Sequence, residues 1–117
     1  FQIYNNKLIK YEKKIELIDY IKDLEKLGAG EILINSIDQD GTMKGMDLSL
    51  IELTRKIVNL PIVYTGGVGS ISDIKKAFNY EISAISAGSF FVFYGPHKAV
   101  LITYPDKKTL KKLVKNE

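Results

Sequence analysis

Short β-branched runs that end in glycine-bearing loops, each followed by a helical pattern, recur along this chain and leave few architectures open. The first run is Glu31-Ile32-Leu33-Ile34-Asn35-Ser36-Ile37, bounded by Gly30 and Asp38. The second is Ile62-Val63-Tyr64-Thr65 behind Pro61, and the third is Ala84-Ile85-Ser86-Ala87. Apolar runs of this length, bounded by turn residues, read as buried strands of a parallel sheet. Between them the spacing becomes helical. Ile15, Leu17, Ile18, Ile21, Leu24 and Leu27 recur on one helix face, and Gly28 closes that helix. Asp47 is placed to cap a helix over residues 48–58. Ser70 and Asp73 have capping-box-like spacing ahead of a helix over about residues 73–79, with Asp in place of the usual Glu or Gln.

This alternation predicts an α/β fold with a parallel sheet and right-handed crossovers. Residues 2–4 and 8–10 read as two short strands joined near Asn5-Asn6 by a tight hairpin turn. The end of the chain is less regular. It has an aromatic cluster of Phe90, Phe91, Phe93 and Tyr94, a linker-like stretch at 94–98, and a strand-like run at 99–103. Pro105 then precedes a lysine-rich terminal helix. A complete (β/α)8 barrel needs about 250 residues, and this chain has 117. Three strand–helix units and a hairpin amount to a barrel slice. Open parallel edges invite association, so the slice is expected to belong to a longer protein or to homo-oligomerise.

Composition narrows the chemistry. Hydrophobic residues make up 45% of the chain, enough for a packed core. Cysteine is absent, which rules out a disulfide framework, a thiolate metal site and a cysteine nucleophile. His97 is the single histidine, so a multi-histidine metal site is excluded and no metal or cofactor is expected. The net charge of +3 gathers in the tail, at Lys107, Lys108, Lys111, Lys112 and Lys115. That pattern fits a solvated helix face better than a nucleic-acid footprint. No apolar run reaches the ~20 residues of a bilayer span. The expected setting is the cytoplasm, with no membrane or nucleic-acid partner.

Three motifs carry chemistry. Thr65-Gly66-Gly67-Val68-Gly69 follows the second strand, and Ala87-Gly88-Ser89 follows the third. Glycines let main-chain N–H groups approach an anion without a Cβ in the way. Two such loops at neighbouring strand ends match the phosphate site of a barrel mouth. Taken alone, the first loop also reads as a plain tight turn. The third motif, Ser36-Ile37-Asp38-Gln39-Asp40-Gly41-Thr42, sets two carboxylates and two hydroxyls just past the first strand. In an extended segment, Asp38 and Asp40 would point the same way. Asp40 suits acid/base work or a bond to a substrate hydroxyl, and equally a capping role in the loop. A calcium loop fails because Ser49 stands where the bidentate Glu belongs. A dinucleotide fingerprint fails on glycine spacing.

The runs GAGEILINSIDQDGTMKGMDLSLI, LPIVYTGGVGSISD and ISAGSFF, in this order, resemble the imidazole glycerol phosphate synthase cyclase family from about Lys7 to Phe91. The resemblance implies the C-terminal half of a (β/α)8 barrel, with the three runs as strands 6 to 8. The whole of residues 1–117 would then be one partial barrel domain. It implies ammonia delivered by a glutaminase partner. That ammonia condenses with a phosphorylated ribulosyl aminoimidazole carboxamide nucleotide, giving imidazole glycerol phosphate and an aminoimidazole carboxamide ribotide. It assigns a substrate phosphate to Gly66, Gly67, Gly88 and Ser89 with Thr65 adjacent, makes Asp40 an active-site aspartate, and puts Asn35 and Thr42 at the same mouth.

Two departures qualify this. The family's main acid/base aspartates close the first and fifth strands, which lie outside this sequence, so the isolated chain is expected to be inactive. The stretch at 95–105 resembles instead the ending of paralogues associated with surface-polysaccharide genes, linked to amidation of a nucleotide sugar, and Asn35 leans the same way. A third reading makes the chain an inactive phosphate-binding or oligomerising module.

Overall fold

A computed structural model describes residues 16–114. The hairpin expected at residues 2–10 lies outside them. Helix α1 (Leu17–Lys26) leads to strand β1 (Ile32–Asn35), α2 (Leu48–Arg55), β2 (Ile62–Thr65), α3 (Ile71–Phe78) and β3 (Ala84–Ser86). The three strands form one parallel sheet in the order β1-β2-β3. The chain is therefore α/β with a parallel sheet, as the alternation of patterns predicts.

The helix starts follow local chemistry. Asp47 accepts from the Leu50 N–H at 3.0 Å and begins α2. Ser70 accepts from the Asp73 N–H at 3.2 Å, so α3 begins at Ile71, two residues before the expected residue 73. Asp73 completes a variant capping box. Its carboxylate accepts from the Gly69 N–H at 3.1 Å, which ties the glycine loop to the helix. Helix α2 ends at Arg55, short of the expected residue 58, and Val58 turns back into the core at 2% exposure. The Arg55 guanidinium secures that exit by donating to the Val58 and Glu81 carbonyls, each at 3.1 Å.

One face of the sheet carries the core. Ile32, Ile34, Ile62 and Tyr64 pack with Ile21 of α1, Ile51 of α2 and Ala77 of α3. Burial of each such side chain is worth about 1.5–3 kcal/mol. Within this core the Tyr64 and Thr54 hydroxyls meet at 2.5 Å. The other sheet face corrects the expectation of strands buried throughout. In β1 burial alternates, and Leu33 is 64% exposed. Helices cover one side of this sheet, so only alternate residues are shielded.

After β3 come a short helix α4 (Ser89–Val92) and an antiparallel hairpin of β4 (Phe93–Tyr94) and β5 (Ala99–Val100). The stretch at 94–98, which reads as a linker, is the turn of this hairpin. The Lys98 N–H closes it on the Gly95 carbonyl at 3.1 Å. Helix α5 (Lys107–Val114) then packs on α3 and lays Leu113 against Val68 and Ile74. Among the described residues no helix is long and apolar enough to cross a membrane.

Candidate functional site

The loop leaving β1 does not run extended. The N–H groups of Gln39 and Asp40 fold back onto the Ser36 carbonyl at 3.1 and 2.9 Å. This turn separates Asp38 from Asp40, and only Asp40 reaches the cleft described below. Thr42 serves the loop itself. Its hydroxyl donates to the Gln39 carbonyl at 2.8 Å and accepts from the Lys44 N–H at 3.3 Å.

That loop then lies directly on the glycine loop that leaves β2. Gly45 donates its N–H to the Gly67 carbonyl at 2.8 Å. A Cβ at Gly67 would overlap the Gly45 carbonyl oxygen, and one at Gly69 would overlap the Met43 carbonyl oxygen. Gly67 also sits at φ 90°, a conformation that glycine adopts without strain. These two glycines are thus required by contact between main chains. Gly88 differs. Its φ is −110°, and a Cβ built there meets nothing within 4 Å.

Loops from all three strand ends line a small, solvent-open cleft. Asp40 and Gly41 come from the first loop, Thr65 to Val68 from the second, and Ser86 to Ser89 from the third. Six of the eight residues singled out in the sequence therefore converge: Asp40, Thr65, Gly66, Gly67, Gly88 and Ser89. Thr42 stays in its turn. Asn35 does not line the cleft, and it donates from Nδ2 to Asp40 Oδ2 at 3.5 Å. His97 lies in the exposed hairpin turn. The N–H groups of Gly67, Val68 and Ser89 have no acceptor among the described residues.

Sequence reading missed Ser86. The parallel register aligns Asn35 with Thr65 and Thr65 with Ser86. Alternation along the strands puts these three on the helix-free face as a polar row. The signal was present, since each is the last residue of its strand, but the register needed to align them was not. Beneath the row, burial pushes the Tyr64 phenol above its ordinary value of 10.0, outweighing the Thr54 hydrogen bond and the nearby Arg55 charge. Tyr64 is therefore a neutral strut of the core.

Ligands of open α/β sheets gather at the C-terminal ends of the strands, and this cleft lies there. Relatives are clear. A protein of Pseudomonas aeruginosa provisionally named imidazole glycerol phosphate synthase subunit hisF2 is 47% identical over 94 residues, covering 80% of this chain and 38% of that protein. The Sulfolobus acidocaldarius imidazole glycerol phosphate synthase subunit HisF is 47% identical over 81 residues, covering 69% of this chain and 32% of its own length. This chain thus spans well under half of the curated relatives it matches. A crystal structure of the Amycolatopsis orientalis BexX/CysO complex overlaps 60% of the chain and 29% of its own, with a TM-score of 0.52 and 17% identity, and so speaks for the fold alone. The model of the family described as histidine biosynthesis protein matches residues 5–97. With motifs, sheet and cleft in agreement, the chain belongs to the histidine biosynthesis protein family.

Proposed function

We propose that this chain is the C-terminal half of a (β/α)8 barrel from a cyclase subunit of imidazole glycerol phosphate synthase, and that its cleft holds a phosphate of the substrate. The supporting observation is a convergence. Gly67, Val68 and Ser89, from two neighbouring strand ends, line one cleft while their N–H groups have no acceptor among the described residues. Such groups suit an anion. Gly88 adds to this, because no contact within the chain requires a glycine there.

In this reading Gly66, Gly67, Gly88 and Ser89 hold the phosphate with Thr65 beside them. Asp40 moves a proton or bonds a substrate hydroxyl, and Asn35 orients it. Thr42 fixes the turn that carries Asp40. The helix-free sheet face, with Leu33 exposed, becomes the barrel lumen once further strands close it. The full protein works in the cytoplasm with a glutaminase subunit that supplies ammonia. The isolated chain does not catalyse, because the acid/base aspartates of the first and fifth strands must come from elsewhere. A second reading, amidation of a nucleotide sugar, draws on Asn35 beside Asp40 and on the hairpin at 93–100.

The test is ammonia-dependent turnover, with the ribulosyl aminoimidazole nucleotide and a nucleotide sugar offered in turn. The chain alone should turn over neither, and a longer protein containing it should turn over one. Robust turnover by the chain alone overturns the half-barrel reading. Phosphorus NMR of the chain titrated with inorganic phosphate tests the cleft separately.

A further inference from the structure

The helix-free face of the sheet carries two rows of side chains. Nearest the cleft stand Asn35, Thr65 and Ser86, in register on β1, β2 and β3. One step back along the strands stand Leu33, Val63 and Ala84, also in register. The polar row therefore borders the cleft on one side and an apolar row on the other. Its members are not alike. Asn35 is engaged by Asp40, to which it donates at 3.5 Å. Thr65 and Ser86 both line the cleft, and their hydroxyls bond to no group among the described residues. Other hydroxyls are used within the chain: Thr42 on the Gln39 carbonyl, Thr54 on the Leu50 carbonyl, Ser70 on the Asp73 amide.

We propose that Ser86 is a ligand-binding residue of this cleft, and that with Thr65 it recognises hydroxyl-bearing carbons joined to the bound phosphate. The inference rests on the phosphate reading of the cleft and deepens it. Loop amides can only donate, so they suit the anion and cannot accept from a ligand hydroxyl. A side-chain hydroxyl both donates and accepts. Thr65 and Ser86 offer two of them on adjacent strands, roughly 5 Å apart at the main chain. A few placed polar groups of this kind fix a ligand's orientation. The apolar row behind them offers no further partner, so the recognised hydroxyls are those next to the phosphate.

Titration of the chain with inorganic phosphate, glycerol 3-phosphate and propyl phosphate, followed by amide NMR shifts, tests it. The two esters have the same carbon count and differ in their hydroxyls. The parent chain should bind glycerol 3-phosphate about three- to tenfold more tightly than propyl phosphate. Ser86→Ala should remove most of that preference and leave the affinity for inorganic phosphate unchanged. Ser86→Thr keeps the hydroxyl and should retain the preference. Ser86 is exposed, so neither substitution opens a cavity. Equal binding of the two esters by a chain that binds inorganic phosphate overturns this proposal alone and leaves the phosphate reading standing. A Ser86→Ala chain that keeps the full preference, or that loses inorganic phosphate as well, also overturns it. A parent chain that binds none of the three removes the phosphate reading and this proposal together.

Discussion

Gly45 and Gly67 are joined through their main chains, the amide of one on the carbonyl of the other at 2.8 Å, with no room for a Cβ on Gly67. The bond fastens the loop that carries Asp40 to the loop that carries the Gly67 and Val68 amides. The site is therefore assembled by backbone contact, and its glycines divide into two kinds.

Gly67→Ala should be severely destabilising. The new methyl overlaps the Gly45 carbonyl and the residue is held at positive φ, where strain alone costs about 1–3 kcal/mol. Gly88→Ala should change stability by less than ~1 kcal/mol, as expected of an uncrowded site at negative φ. It should nevertheless weaken phosphate binding. Urea denaturation of both variants, with phosphate titration of the second, checks the division. A Gly88→Ala protein that binds phosphate as tightly as the parent removes Gly88 from the site.

The Thr54–Tyr64 pair offers an asymmetric test. Thr54 gives its proton to the Leu50 carbonyl at 2.7 Å, so Tyr64 donates to Thr54. Tyr64→Phe leaves Thr54 satisfied and should cost about 1 kcal/mol. Thr54→Val leaves the buried phenol with only the Ile51 carbonyl at 3.4 Å and should cost about 1–3 kcal/mol. Equilibrium unfolding of the two variants should rank them in that order.

Stability should also fall on the alkaline side. Tyr64 is raised above 10.0 in the fold by burial, so the unfolded chain loses its phenolic proton first. The contribution is complete below pH 10 and is lost as pH rises through the folded value. Tyr64→Phe should flatten that limb in denaturation curves taken across the range. At the acid end, the Thr109 side chain and N–H hold the Asp106 carboxyl below its ordinary 3.8. This cap on α5 should weaken as pH falls below 3.8, which helix content by circular dichroism would register.

Asp73→Ala should cost about 1 kcal/mol through loss of the cap arrangement. It should also free the Gly69 N–H now held at 3.1 Å. Faster hydrogen exchange at Gly69 would show that the carboxylate holds the glycine loop as well as the helix. An unchanged rate there would confine its role to α3.

What the sequence disclosed was local. The bounds of β2 were legible because Pro61 and Gly66 punctuate it, and the start of α2 because Asp47 caps it, whereas α3 starts at Ile71, before the expected residue 73. Hidden features depend on contacts between distant residues. Gly67 is a glycine because of Gly45, 22 positions earlier, and no local rule reveals that pairing. Asp38 and Asp40 look equivalent until the Ser36 carbonyl gathers the turn. Ser86 has meaning only beside Thr65. The turn at 94–98 resembled a linker because Gly95 and Pro96 mark chain reversal and loose connection alike.

The row of Asn35, Thr65 and Ser86 projects from strands whose loops are already locked together by peptide groups. Exchanging any of those three side chains leaves the clamp between loops untouched. Mutation can thus redraw the polar lining beside the cleft while the loops that frame it keep their shape, which is the condition under which one scaffold diverges without first unfolding.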